Sequence, residues 1–241
     1  SYGFEHNDLG DLKKKISKAR SRVGQNYVIV ESVYSMDGDE APVEQLAEFC
    51  RSENLYLIVD EAHSTGVMGQ DGSGMITSLG LENEVFARIH TFGKALGCHG
   101  AAVLGSESLK NYLVNFARSF IYTTALPPRE VLRISAALQQ LKHSKQRDRL
   151  SLNIDAFLSE IENLNLTSYF IPSRSPIQSF LLPDSSDPEE IKKVFLEHKM
   201  GAKIIFPPTV PQGQERIRIC IHSFNTSSEI QRILQLLSTF V

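Results

Sequence analysis

Apolar positions along the chain follow two different rhythms. Leu9, Leu12, Ile16 and Ala19 approximate helical spacing behind a possible cap at Asn7-Asp8, and Val43, Leu46, Ala47 and Cys50 fall at i, i+3, i+4 and i+7 after Pro42, a residue suited to a first helical turn. Between and after them come short continuous apolar runs: Tyr27-Val28-Ile29-Val30, Leu55-Tyr56-Leu57-Ile58-Val59, Val85-Phe86-Ala87-Arg88-Ile89-His90 and Ala101-Ala102-Val103-Leu104. Runs of this length predict buried strands. Ser106 caps a helix with Leu109, Tyr112, Leu113 and Phe116 on one face. The glycines at 66, 69, 72 and 74 mark a long turn-rich segment after the second strand.

Repeated strand, helix, strand order with continuously apolar strands predicts an α/β fold, a mostly parallel sheet covered by helices on both faces. Residues 1–128 are expected to form this large domain. Residues 129–165 read as connecting helices, carrying Val131, Ile134, Leu138 and Leu141 and then Ile154, Phe157, Leu158 and Ile161, broken by the charged stretch Lys142 to Arg149. Residues 166–241 read as a small C-terminal α+β domain, with strands near Ile177–Leu182 and Ile217–Ile221. Its helices are opened by Asp187-Pro188-Glu189-Glu190 and Thr226-Ser227-Ser228-Glu229, capping boxes or close variants.

Composition narrows the function classes. A net charge of −3 over 241 residues, with no basic stripe, argues against nucleic acid as a partner. Cys50, Cys98 and Cys220 are far apart and form no C-x-x-C pair, so neither a metal site nor a disulfide framework is expected, and a reducing cytoplasmic setting fits. No apolar stretch is long enough to span a bilayer, so no membrane partner is expected.

Candidate chemistry gathers at strand ends. Lys94 leaves the Val85 run through Thr91-Phe92-Gly93, and Asp60 ends the Leu55 run just ahead of Glu61-Ala62-His63. A lysine losing hydration there would have a lowered pKa and an amine free to form a Schiff base with a carbonyl. In open α/β sheets, ligands collect at the carboxyl ends of parallel strands. Taken singly, Lys94 reads as a solvated loop residue and Asp60 as a cap; their combination favours a site.

Four motifs occur in order: Ser35-Met36-Asp37-Gly38-Asp39, Val59-Asp60-Glu61-Ala62-His63-Ser64-Thr65-Gly66, Thr91-Phe92-Gly93-Lys94 and Ile121-Tyr122-Thr123-Thr124-Ala125-Leu126-Pro127-Pro128. With Pro207-Pro208-Thr209-Val210-Pro211 and Arg216-Ile217-Arg218 near the end, the series resembles the α-oxoamine synthases, a branch of the fold-type I pyridoxal-phosphate enzymes. The resemblance runs nearly the whole chain and is strongest to the members acting in biotin synthesis.

That resemblance implies a pyridoxal 5'-phosphate cofactor, with Lys94 as its covalent anchor and proton carrier. Asp60 would pair with the pyridinium nitrogen, His63 with the phenolic oxygen, Thr91 with the phosphate and Ser35 with the cofactor from its loop. Arg218 would hold the substrate carboxylate, with Thr209 a further substrate contact. Thr123 or Thr124 would serve the neighbouring cofactor of a homodimer. The implied reaction condenses L-alanine with pimeloyl-CoA, releasing CoA and carbon dioxide; glycine C-acetyltransferase, serine palmitoyltransferase and 5-aminolevulinate synthase chemistry share the motifs. A non-catalytic dimerisation subunit of the same fold is the rival from another class, and the presence of Lys94 disfavours it. Two departures stand out. The chain starts after the family's glycine-containing cofactor loop and ring-stacking histidine, and Phe206 stands where the biotin-pathway enzymes carry an arginine.

Overall fold

A computed structural model describes residues 1–19, 24–183 and 186–241. They divide into two compact units, one of residues 1–33 and 41–144, the other of residues 34–40 and 145–241.

In the first unit, α1 (Leu9–Ala19) buries Leu12 and Ile16, and its opening turn is tied by Asp8, whose Oδ1 accepts from Asp11 N at 2.9 Å. The strands β1 (Tyr27–Glu31), β2 (Tyr56–Asp60), β3 (Ala87–Thr91) and β4 (Ala101–Gly105) pair in that order. The first three are parallel and β4 runs antiparallel to β3. Between β1 and β2 lies α2 (Val43–Ser52), and between β2 and β3 the short α3 (Met75–Ser78). Val28, Val30, Leu57, Val59 and Ala87 are buried, as are Leu46, Ala47 and Cys50 of α2 and Ile76 of α3. Each fully buried Val, Leu or Ile side chain stabilises by about 2 kcal/mol; Val28, Val30, Leu57 and Val59 share one face of the sheet by register, and Ala87 lies on the other. At β1 the covering is one-sided: Ile29 remains 64% exposed, where a continuously apolar run predicts burial on both faces. Tyr27, Tyr56 and Phe86 cluster there, with ring centroids 4.6–5.6 Å apart.

The unit continues through α4 (Glu107–Phe116), α5 (Arg118–Ile121) and α6 (Pro128–His143). Ser106 caps α4, accepting from Leu109 N at 3.2 Å. The break expected over Lys142 to Arg149 is narrower than that stretch, because α7 (Gln146–Asn163) already includes Arg147, Asp148 and Arg149. Arginine is a good helix former, and Asp148 puts a negative charge in the first turn, where the helix dipole favours it.

In the second unit, β5 (Ile177–Leu181), β6 (Lys203–Ile205) and β7 (Arg216–Cys220) form an antiparallel sheet in the order β5-β7-β6. Phe157, Phe180, Ile217, Leu234 and Leu237 lie at the heart of its core, contributed by α7, β5, β7 and α9 (Ser227–Leu237). Asp187 caps α8 (Pro188–Glu197) through Glu189 N at 2.9 Å. Thr226 and Glu229 form a reciprocal capping box on α9. The three-residue β6 has no counterpart in the sequence reading, since Lys-Ile-Ile is too short to show a period.

Candidate active site

Two strand ends organise the first unit's site. Asp60 is the last residue of β2 and Thr91 the last of β3, both at the carboxyl edge of the parallel strands. Asp60 sits in register with Glu31 of β1 and Ile89 of β3. Its carbonyl accepts from Ser32 N at 2.8 Å, and its Oδ1 accepts from Ala62 N at 2.8 Å, so backbone and side chain are both fixed. His63 follows in the turn beyond β2 and is half-buried.

Lys94 lies three residues beyond β3 in a loop running to β4. The loop is closed by Phe92 N to Gly100 O at 2.9 Å, Cys98 N to Phe92 O at 2.8 Å and Gly97 N to Lys94 O at 3.1 Å. Lys94 itself is exposed, which corrects the expectation that a lysine leaving a buried strand loses its hydration. β3 ends at Thr91, and the loop carries Lys94 clear of the sheet's buried face. Thr91 Oγ1 is a buried hydroxyl with no hydrogen-bond partner among the described residues.

Beneath these groups lies a polar cluster for which the sequence reading had no role. Glu61 is fully buried; its Oε1 accepts from Ile76 N at 2.9 Å and from Ser64 Oγ at 3.1 Å. Its Oε2 faces His90 Nε2 at 3.3 Å, and Thr65 Oγ1 meets His90 Nδ1 at 2.8 Å. Burial raises the Glu61 carboxyl, but hydrogen bonds from His90, Ile76 and Ser64 outweigh it and hold the group below its ordinary value. The cluster joins the residue after Asp60 to the residue before Thr91, so it braces both strand ends. The one sequence signal was His90 at the end of an apolar run that also holds Arg88.

Thr123 and Thr124 also belong to the first unit and are exposed in the stretch between α5 and α6. Ser35, Thr209 and Arg218 belong to the second. There Ile217 and Ile219 are buried while Arg218 faces the other way, as strand alternation requires. Arg218 Nε donates to Ser35 O at 2.7 Å and Nη1 to Cys220 Sγ at 2.9 Å. Thr209 is exposed in the turn after β6, its N–H donating to Phe206 O at 3.0 Å. The neighbouring Arg216, buried where Arg218 is not, pairs through Nη1 with Asp37 Oδ1. No cluster of three or more His, Cys, Asp or Glu side chains suited to a metal ion occurs among the described residues, and no helix there is long and apolar enough to cross a membrane.

The family model described as aminotransferase class I and II matches residues 2–237. The chain belongs to this aminotransferase class I and II family. Among curated members, an 8-amino-7-oxononanoate synthase of Emericella nidulans is 41% identical over 227 residues, covering 89% of this chain and 54% of that protein. The chain therefore spans little more than half the length of this relative. Among solved structures, a serine palmitoyltransferase from S. paucimobilis with a bound PLP-myriocin aldimine superposes with a TM-score of 0.84 at 26% identity, over 98% of this chain and 59% of that one. An 8-amino-7-oxononanoate synthase from Francisella tularensis superposes with a TM-score of 0.78 at 32% identity, over 94% of this chain and 66% of that one. The fold is accordingly that of the fold-type I pyridoxal-phosphate transferases, the class anticipated from the ordered motifs.

Proposed function

We propose that the protein binds pyridoxal 5'-phosphate and condenses L-alanine with pimeloyl-CoA, giving 8-amino-7-oxononanoate, CoA and carbon dioxide in biotin synthesis. One observation carries the cofactor assignment: Asp60 and Thr91 end adjacent parallel strands, with Lys94 in the loop just beyond. The residues fit the group. Thr91 supplies a buried hydroxyl in want of a partner, suited to a phosphate oxygen, and Lys94 an amine with no hydrogen-bond or ion-pair partner among the described residues. The substrate pair is supported by the synthase of Emericella nidulans at 41% identity.

Bound pyridoxal phosphate supplies an aldehyde for an amine to condense with and a ring that withdraws electrons from the attached carbon. Lys94 would anchor it covalently and then take the proton from the amino acid's α-carbon. Asp60 would keep a proton on the pyridine nitrogen, because a carboxylate stabilises the charged form where a neutral partner would not. His63 and Ser35 would orient the ring. Arg218 would take the amino acid's carboxylate, a task suited to a guanidinium fork, with Thr209 beside the substrate. A homodimer would bring Thr123 or Thr124 to the neighbouring subunit's cofactor. Phe206 sets the acyl preference in question, because a phenyl ring cannot bind the distal carboxylate of a pimeloyl chain.

The test is to incubate the full-length protein with pyridoxal phosphate, reduce with borohydride and map the labelled peptide. Label concentrated on Lys94 and abolished in Lys94→Ala is expected. Scattered label would sink the cofactor assignment. Turnover with a panel of acyl-CoAs and amino acids then decides the substrates: preference for acetyl- or palmitoyl-CoA over pimeloyl-CoA would replace the biotin assignment by a sister activity.

A further inference from the structure

The segment 34–40 lies in sequence between β1 and α2 of the first unit, yet it belongs to the second unit. Consecutive residues of the segment are each tied to the β5–β7 pair or to the turn leading into it. Ser35 O accepts from Arg218 Nε at 2.7 Å, and Met36 O accepts from Ser179 Oγ at 2.9 Å. Arg218 and Ser179 are direct cross-strand partners. Asp37 pairs with Arg216, whose Nε also donates to Gln214 O at 3.0 Å. Gly38 O lies 2.8 Å from Ser173 Oγ. The segment also closes on itself, through Tyr34 N to Asp39 O at 2.9 Å and Gly38 N to Tyr34 O at 2.8 Å.

Among these attachments the Asp37–Arg216 contact is the only pair of opposite charges, and the Arg216 side chain is just 5% exposed. A contact between two ionised groups shielded from water is stronger than the hydrogen bonds to uncharged acceptors beside it. It sits two residues from Ser35 on one side and two residues from Arg218 on the other, on the same face of β7 as Arg218. The Ser35 contact in turn decides how Arg218 can receive an anion. With Nε given to Ser35 O and one Nη1 proton to Cys220 Sγ, what remains for a carboxylate is Nη2 and the second Nη1 proton.

We infer that the Asp37–Arg216 ion pair is a positioning device that holds Ser35 and Arg218 against one another and thereby sets the affinity of the site for the amino acid's carboxylate. This rests on the function proposed above. Neither residue touches substrate; both act through the guanidinium of Arg218.

The test uses the full-length, cofactor-loaded enzyme and three variants. Asp37→Asn is expected to raise KM for the amino acid about tenfold, the size of one lost charge-assisted hydrogen bond, with KM for the acyl-CoA and kcat unchanged. Arg216→Lys, which keeps the charge but loses the planar fork, shifts the same constant in the same direction. Asp37→Glu keeps the carboxylate and is expected to restore most of the affinity. In the cofactor-free protein, amide hydrogen exchange at residues 34–40 should quicken in the first two variants while that of α2 and β2 does not. Unchanged exchange at 34–40 overturns the inference, as does quickened exchange with an unmoved amino acid KM. A kcat loss without a KM change, or an Asp37→Glu defect equal to Asp37→Asn, overturns it as well. If the unsubstituted protein turns over no amino acid, the functional assignment and the carboxylate role fail together, and the exchange comparison still decides whether the ion pair anchors the segment.

Discussion

Glu61 stands beside Asp60 in sequence but has the opposite environment, wholly buried and surrounded by donors from Ile76, Ser64 and His90. A buried carboxylate left without donors would cost several kcal/mol; here Oε1 accepts two hydrogen bonds and Oε2 faces the His90 ring at 3.3 Å. Glu61→Gln keeps the shape and removes the charge; it is expected to lower stability by about 2 kcal/mol, read from the denaturant midpoint. The pH dependence has a definite sign. The folded carboxyl lies below its ordinary 4.5, so on acidification the unfolded chain takes up the proton first. The Glu61 carboxylate's contribution is therefore present above about pH 5 and is lost as pH falls through the folded value. The gap in stability between wild type and Glu61→Gln should shrink on going from neutral pH into that acid range; a gap that stays constant would mean that Glu61 is not ionised in the fold.

The segment 34–40 depends on a backbone conformation only glycine adopts without strain. Gly38 has φ of +80°, and a Cβ there would stand 2.2 Å from Ile177 O, a backbone atom that cannot turn aside. Gly38→Ala is expected to cost about 2–3 kcal/mol in the second unit and to quicken amide exchange at residues 34–40. An alanine variant with wild-type exchange there would show that the segment does not need its close approach to β5. Elsewhere the elements follow from local chemistry: Ser106, Asp187 and Thr226 all cap the helices expected of them, because a cap satisfies orphan amides within four residues of itself.

Across the whole molecule, exposed aromatic residues also occur at Tyr2, Tyr27, Phe206 and Phe224, but one run of chain carries four of them, Tyr112 among them at 61% exposed. Phe116, Phe120 and Tyr122 are 66%, 61% and 78% exposed, all within α4, α5 and the stretch that carries Thr123 and Thr124. Exposed apolar side chains grouped in this way are a candidate contact face for the proposed homodimer. Light scattering of the full-length protein should give the mass of two chains, and the double variant Phe116→Lys, Phe120→Lys should shift it toward one. A dimer mass untouched by both charges would place the subunit contact elsewhere.

Sequence alone determined the α/β class, the caps, the strands ending at Asp60 and Thr91, and the ordered motifs that identify the family. Each of these is written in local periodicity or in neighbouring residues, and the strands differ from the expected runs by only a residue or two. Tertiary structure decided which polar side chains are buried and with whom. Glu61 and His90 are 29 positions apart and meet because β2 and β3 lie side by side. Asp37 and Arg216 are 179 positions apart and meet because residues 34–40 join the second unit. The exposed position of Lys94 also escaped the sequence, since hydration depends on what the rest of the fold brings over a loop. Partners so distant leave no period in the chain, because the free energy that selects them arises only once the sheets have formed.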